Sequence, residues 1–323
     1  MNISTSLRRA KAPLALTAAV MLAASACGGG DAGSGGSGDE LSGTVKVDGS
    51  STVAPLTSAA SEFYAEEQPK VRVTVATSGT GGGFKKFCVG ETDISNASRE
   101  IKDEEIKTCE ENGVKYEKFS VANDGLSVVV SKDNDWADCL TVEQLKKIWE
   151  PDSKVNNWNQ VDPKFPNEPL KLFGAGTDSG TFDYFTDAIN GEEGASRTDY
   201  SGSEDDNVTV TGVSGTKGGM GYFGFSYYEE NADKLKLLQV DGGDGCVTPS
   251  VETVQDGTYK PLGRQLFIYP SAKSLEKPGV VDFVEYYVEN HEKIAEDAKF
   301  IPLNAEQEKE LQAALDKLKE AAK

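Results

Sequence analysis

The chain has 323 residues, with 33 Lys plus Arg against 53 Asp plus Glu and a single His, for a formal net charge of −20 at pH 7. So anionic a composition offers no cationic face to a phosphate backbone, which excludes nucleic acid as a partner. The length suits about two domains of roughly 100 to 200 residues, and 37% hydrophobic residues with 11 Tyr, 13 Phe and 3 Trp exclude wholesale disorder.

From the N-terminus, Arg8, Arg9 and Lys11 precede twelve uncharged, mostly apolar residues at 13–24, and then Ser25, Ala26 and Cys27. This layout predicts a secretory signal peptide over residues 1–26, too short to span a bilayer as a helix of about 20 residues. The small residues running into Cys27 resemble the lipobox of bacterial lipoproteins. That resemblance implies a lipid-modified, palmitate-type anchor on Cys27 and a location on the outer face of the cytoplasmic membrane. Ala24 stands where Leu or Val is more common, so cleavage by an ordinary signal peptidase is the alternative. Residues 28–43 hold eight glycines in sixteen positions, so residues 27–43 read as a lipidated cysteine and flexible tether. A chain of that kind reaches about 20 to 24 Å. Without the signal peptide 30 basic residues face 53 acidic ones, a charge of −23, and repulsion from anionic headgroups keeps the body off the lipid.

Strand-like runs then fall at 44–47, 71–76, 114–119, 126–131, 170–173, 208–210 and 266–269. Helical runs fall at 55–67, 82–88, 104–112, 142–150, 180–190, 280–295 and 305–322. Thr141 with Gln144, and Asn304 with Gln307, supply capping signals at two helix starts. The alternation predicts an α/β architecture. Two stretches, 120–126 and 258–265, each carry a strand-like run broken by Gly or Pro and read as crossings between lobes. They divide the chain into a first lobe, 44–123 plus 262–323, and a second lobe, 124–261, inserted into it. Hinged closure over a central cleft follows from that division.

Cys88, Cys109, Cys139 and Cys246 lack the close pairs of a zinc site, and the one histidine, His291, lies in a charged helical stretch. No metal and no other cofactor is expected. In an exported chain the four cysteines predict two disulfides with three possible pairings. We favour Cys88–Cys109 and Cys139–Cys246, which places one in each lobe.

Chemistry concentrates in three loops, DGSSTVAPL from Asp48, TSGTGGGF from Thr77 and GAGTDSGTF from Gly174. Each follows a strand, carries glycines and hydroxyls, and opens a helix. A helix N-terminus has free N–H donors and about half a positive charge, so three such ends converging would hold an anion despite the net charge. Charge-assisted hydrogen bonds contribute roughly 1.5 to 3 kcal/mol each, so five or six exceed the ~8 kcal/mol of a micromolar complex. Taken singly, each loop is also an ordinary capped helix start. Dinucleotide and Walker spacings are absent, no GxSxG elbow is present, and a serine triad would have to recruit His291, so an enzyme is disfavoured.

At these residues the sequence resembles the phosphate-binding protein family of the bacterial phosphate-specific ABC transporter. DGSSTVAPL, SGTGGGFKKFCVGETDISNASR, DGLSVVV and GTDSGTFDYF stand in the family's order and spacing over residues 44–303. The resemblance implies a type II periplasmic-binding-protein fold in which two α/β lobes enclose one dehydrated inorganic phosphate. It also implies a monomer that delivers the ligand to a membrane permease and ATPase. Residue by residue it implies Ser51 and Thr52 from the first loop, Thr80 with Ser78 and Gly81 from the second, and Ser179, Gly180 and Thr181 from the third. Asp93 matches the family's acidic acceptor, which would read the proton that phosphate carries and sulfate lacks. The family's arginine four residues before the SGT serine is here Ala175, and Arg99, six residues after Asp93, is the candidate replacement, paired with Asp93. Two alternatives stand beside this reading. One is a secreted phosphatase or serine hydrolase acting through Ser179, and the other is a binding protein for sulfate or molybdate.

Overall fold

The computed structural model describes residues 41–323. The expected signal peptide, Cys27 and the tether up to residue 40 lie outside the described residues. Leu41 packs against a core and a strand starts at Gly43, so the last residues of the expected tether, 41–43, belong to the folded body.

Among the described residues twelve strands are formed: β1 (Gly43–Gly49), β2 (Val71–Ala76), β3 (Ile94–Ala97), β4 (Phe119–Ser131), β5 (Cys139–Thr141), β6 (Lys171–Ala175), β7 (Ser201–Ser203), β8 (Gly219–Gly224), β9 (Leu235–Leu237), β10 (Gln239–Asp241), β11 (Cys246–Val247) and β12 (Gly263–Pro270). Nine join one mixed sheet in the order β2-β1-β3-β12-β4-β8-β6-β7, with β9 also paired to β4, while β11, β10 and β5 form a small separate sheet. The β1–β2 and β1–β3 pairs are parallel, whereas β12 runs antiparallel to both β3 and β4.

All of β4 is buried along its length, as a strand covered on both faces should be. Its first half, Phe119 to Gly125, pairs with β12, and its second half, Leu126 to Val130, pairs with β8. This strand therefore passes from one hydrophobic core to another. Val45, Leu56, Tyr64, Phe119, Leu266, Phe283 and Leu315 belong to the first core, while Leu126, Trp149, Trp158, Phe185, Tyr222 and Tyr259 belong to the second. In the second, Trp149 meets Phe185, Tyr200 and Tyr222 edge-on at 5.0 to 5.5 Å, and Phe185 stacks on Tyr222 at 3.7 Å. Such ring pairs add about 0.5 to 1.5 kcal/mol each beyond the area they bury. The result is the two-lobed α/β fold expected from the sequence. Both favoured disulfides are present, Cys88–Cys109 and Cys139–Cys246.

Three local expectations are corrected. The run 208–210 lies inside a helix, Asp206–Ser214, because Asp205 caps it through Asn207 N at 3.0 Å and the pair Val210 and Val213 buries at helical spacing against Phe223 and Leu235. Side-chain burial has overridden β propensity there. Of the run 114–119 only Phe119 enters a ladder, and Tyr116 makes an isolated bridge to Ser271. The helix expected at 280–295 is divided at Asn290 into Pro278–Glu289 and His291–Asp297.

Candidate ligand-binding cleft

The first loop leaves β1 through Asp48, whose buried carboxylate accepts from Gly49 N at 2.8 Å, Ser78 N at 3.0 Å and Ser78 Oγ at 2.8 Å, and pairs with Lys86. Burial opposes ionisation of Asp48, but the Lys86 and Ser78 hydrogen bonds outweigh it and hold its pKa below the usual carboxylate value. Asp48 thereby ties the second loop to the first. As a consequence Ser78 is directed to Asp48 and is not among the cleft-lining residues, contrary to its expected role.

Gly79, Thr80 and Gly81 do line the cleft, at the start of the helix Thr80–Phe87. Thr80 Oγ1 lies 3.0 Å from Ser98 Oγ and accepts from Ser98 N at 3.2 Å, which fixes its rotamer against the end of β3. From the other lobe comes the helix Gly180–Asn190, whose N-cap Ser179 accepts from Thr181 N at 3.2 Å. Thr52 Oγ1 donates to Gly180 O at 3.4 Å. A Cβ at position 180 would stand 2.7 Å from Thr52 Oγ1 and 2.9 Å from its backbone, so only glycine lets the two loops approach this closely. Thr181 lies beside the contact, on a smaller cavity of about 100 Å³ that it shares with Asp124 and Asp206.

The cleft itself measures about 860 Å³, and Ser51, Thr52, Thr80, Gly81 and Arg99 all line it. So does Arg264, which sequence reasoning missed. Its Nη2 donates to Thr52 Oγ1 at 3.2 Å, its Nε and Nη2 donate to Asp124 Oδ2 at 3.2 Å, and its Nη1 donates to Ser98 O at 3.3 Å. The guanidinium stacks 3.4 Å from the ring centre of Tyr184, whose hydroxyl donates to Pro261 O at 2.8 Å. Burial pushes Asp124 above the usual carboxylate pKa, and Arg264 pulls against that shift. A signal for Arg264 did exist: it is one of only four arginines beyond the signal peptide, and it lies in the crossing stretch 258–265.

Arg99 is held bidentate by Glu105, with both N–O distances 2.9 Å, and donates from Nη1 to Glu100 O at 3.0 Å. Glu105 raises its pKa despite partial burial. The expected Arg99–Asp93 pair is not formed. Asp93 precedes β3 while Arg99 follows it, six residues and therefore about 20 Å of extended chain apart. Its carboxylate accepts from Lys46 N at 2.9 Å, Ser274 Oγ at 2.8 Å and Lys277 Nζ at 2.7 Å, so Asp93 fastens β1 to the turn after β12 rather than facing the cleft. The carboxylate that does face the cleft beside the first loop is Asp183, which accepts from Ser51 Oγ at 3.3 Å across the two lobes. Burial raises its pKa, against opposing effects of Ser51 and Arg264.

Hydroxyls, glycine amides and two guanidiniums around one crevice favour an anion. No group of three or more His, Cys, Asp or Glu suited to a metal ion occurs among the described residues. His291 does not line the cleft, and its charged neighbours are Glu308 and Glu292, so the structure does not bring it to Ser179 as a hydrolase would require.

A mixed-sheet α/β fold with two cores and an anion-suited cleft between loops of both lobes defines a solute-binding protein rather than an enzyme. Residues 34–291 match the model of the PBP superfamily domain. The chain is 49% identical over 264 residues to the protein SphX of Synechococcus elongatus, covering 81% of this chain and 78% of that one. It is 43% identical to the phosphate-binding protein PstS of Staphylococcus saprophyticus, covering 90% of this chain and 89% of that one. Among solved structures, that of a possible phosphate binding protein from Planctomyces limnophilus superposes with a TM-score of 0.83 at 45% identity, over 86% of this chain and 99% of that one. The chain belongs to the PstS-type phosphate-binding protein family of the PBP superfamily.

Proposed function

We propose that this protein captures inorganic phosphate in the cleft and delivers it to the permease and ATPase of an ABC importer. One observation carries the reading: Thr52 Oγ1 accepts from the Arg264 guanidinium and donates to the carbonyl of Gly180 at the start of a second-lobe helix, so the first loop, that helix start and a fixed cation meet at one point. An anion at that point gains hydrogen bonds from the loop hydroxyls of Ser51, Thr52 and Thr80, from the amides of Gly81 and Gly180 with the Ser179 hydroxyl, and charge from Arg264 and Arg99, while the Thr181 amide is taken up by Ser179 Oγ. Asp183 takes over the role expected of Asp93, accepting the proton of a phosphate ion and repelling a proton-free sulfate.

The change of core between Ala122 and Leu126, and between Leu262 and Leu266, supports lobes near 44–123 plus 262–323 and 124–261, with β4 and the chain entering β12 as the hinge, although Leu262 and Ile301 pack in the second core. The sequence layout before Cys27 supports export and a lipid anchor at that residue, on the outer face of the membrane. The test is titration of phosphate-stripped protein, followed by Trp emission and by calorimetry in competition with sulfate and molybdate. Micromolar or tighter phosphate binding with weak sulfate and molybdate binding is the expected result. Tighter binding of either competitor overturns the choice of anion.

A further inference from the structure

A cleft of about 860 Å³ is many times larger than one tetrahedral anion needs, since a single water occupies about 30 Å³ of liquid. The open cleft therefore has room to admit pyrophosphate or a phosphate ester before the lobes close. The charges of the walls are unequal. On the first-lobe wall Arg99 is already held by Glu105, and Lys102 stands with Glu100, so positive and negative groups nearly balance. On the second-lobe wall Asp183, Asp187 and Glu193 line the cleft with no cation among them, and among the described residues neither Asp187 nor Glu193 makes an ion pair. Asp187 lies seven residues along the helix from Gly180, about 10 Å along its axis from the N-terminal end that abuts Thr52. A phosphoryl group seated at that end would have any appended group pass along this acidic wall. Glu193 shows the crowding already, because burial and then Asp183 and Asp187 raise its pKa against the pull of Arg264 and Arg99.

We infer that Asp187 and Glu193 act as a charge filter: they touch no part of a bound phosphate ion but repel the second charged group of a condensed phosphate or anionic phosphate ester. This rests on the reading of the cleft as a phosphate site and adds to it the rule by which larger phosphates are refused. The repulsion acts in the open cleft, before the lobes close.

The experiment measures inorganic phosphate and pyrophosphate binding by calorimetry to the wild-type protein and to the Asp187→Asn/Glu193→Gln double variant, at low and at high salt. Both side chains are exposed, and thermal melts check that the variant folds. The wild type is expected to bind pyrophosphate at least tenfold more weakly than phosphate, with the gap narrowing as salt rises. In the double variant pyrophosphate affinity rises at least tenfold while phosphate affinity moves less than threefold. A wild type that binds phosphate, together with a variant whose pyrophosphate affinity stays put, overturns the filter alone. A wild type that fails to bind phosphate overturns the reading of the cleft and the filter with it.

Discussion

The guanidinium of Arg264 lies 3.4 Å from the centre of the Tyr184 ring while its Nη2 reaches Asp124 Oδ2 and Thr52 Oγ1 at 3.2 Å. One side chain thus binds together the first loop, β4, and the helix Gly180–Asn190. Its charge is fixed in place by a fully buried acid below and an aromatic face beside it, so little reorganisation is needed when an anion arrives. Arg264→Gln should lower phosphate affinity at least a hundredfold, about 2.7 kcal/mol. Arg264→Lys should recover only part of this, because an ammonium lacks the planar fork that serves Asp124 and Thr52 together. Leaving Asp124 buried without its partner costs about 3 to 5 kcal/mol of stability, so the comparison is best made in an Asp124→Asn background. Calorimetry on Asp124→Asn alone and combined with each Arg264 substitution checks both effects, and near-native affinity for Arg264→Gln in that background would remove this residue from the site.

Gly180 shows how closely the lobes meet. An Ala Cβ would stand 2.7 Å from Thr52 Oγ1 and 2.9 Å from Thr52 backbone atoms, closer than real contacts permit. The strain falls between lobes rather than inside one core, so Gly180→Ala should cost under about 1 kcal/mol of stability, in the range of ordinary surface changes. Phosphate affinity should fall at least tenfold, because the helix N-terminus is held away from the first loop. Thermal melting and phosphate titration of the same sample separate the two outcomes.

Asp93 and Asp183 divide what the sequence assigns to one residue. Asp93→Asn keeps an oxygen for Lys46 N and turns its amide NH2 towards Ser274 Oγ, which can accept, but loses the charge facing Lys277, which is 57% exposed on its side chain. We expect a stability loss of about 1 kcal/mol and unchanged phosphate affinity. Asp183→Asn replaces an acceptor in the cleft with a donor, and should weaken phosphate at least tenfold while improving sulfate binding. Competition calorimetry on the two variants decides, and the opposite pattern would return the proton-reading role to Asp93.

The legible parts of this site are those written in local chemistry. Glycine and hydroxyl clusters mark Thr52, Thr80 and Gly180 because a helix start needs those residue types within a few positions. Arg264 stayed hidden because its partners Thr52 and Asp124 stand 212 and 140 residues away, a relation that only the sheet order β12-β4 creates. Asp93 misled for a related reason: a motif gives position along the chain, but not which end of β3 faces the cleft. β8 went unread since Gly219, Gly221 and Gly224 interrupt its apolar run, and those glycines make sense only once the helix Asp206–Ser214 packs on them, with Val213 and Thr209 2.9 Å from where a Gly221 Cβ would be. The two-lobed α/β class was legible in outline because strand-like and helical runs alternate along the chain.

Asp206, in the first turn of its helix and on the small cavity shared with Thr181, has a pKa raised to about 6 by burial and by the adjacent Asp205 and Glu204. Between the ordinary value of 3.8 and about 6 the unfolded chain has released this proton while the folded chain still holds it. Stability contributed by the protonated acid is therefore complete below pH 3.8, falls as pH rises through that window, and is gone above about 6. Asp206→Asn carries no such penalty. At pH 7.5 the variant should be more stable than the wild type by about 1 to 2 kcal/mol, the penalty of charging a mostly buried acid reduced by its partial exposure and by the lost attraction between an acid and a helix N-terminus. At pH 3.5 the two should unfold together. Urea midpoints measured at several pH values check this, and a difference that stays constant with pH would show that Asp206 does not titrate in that window.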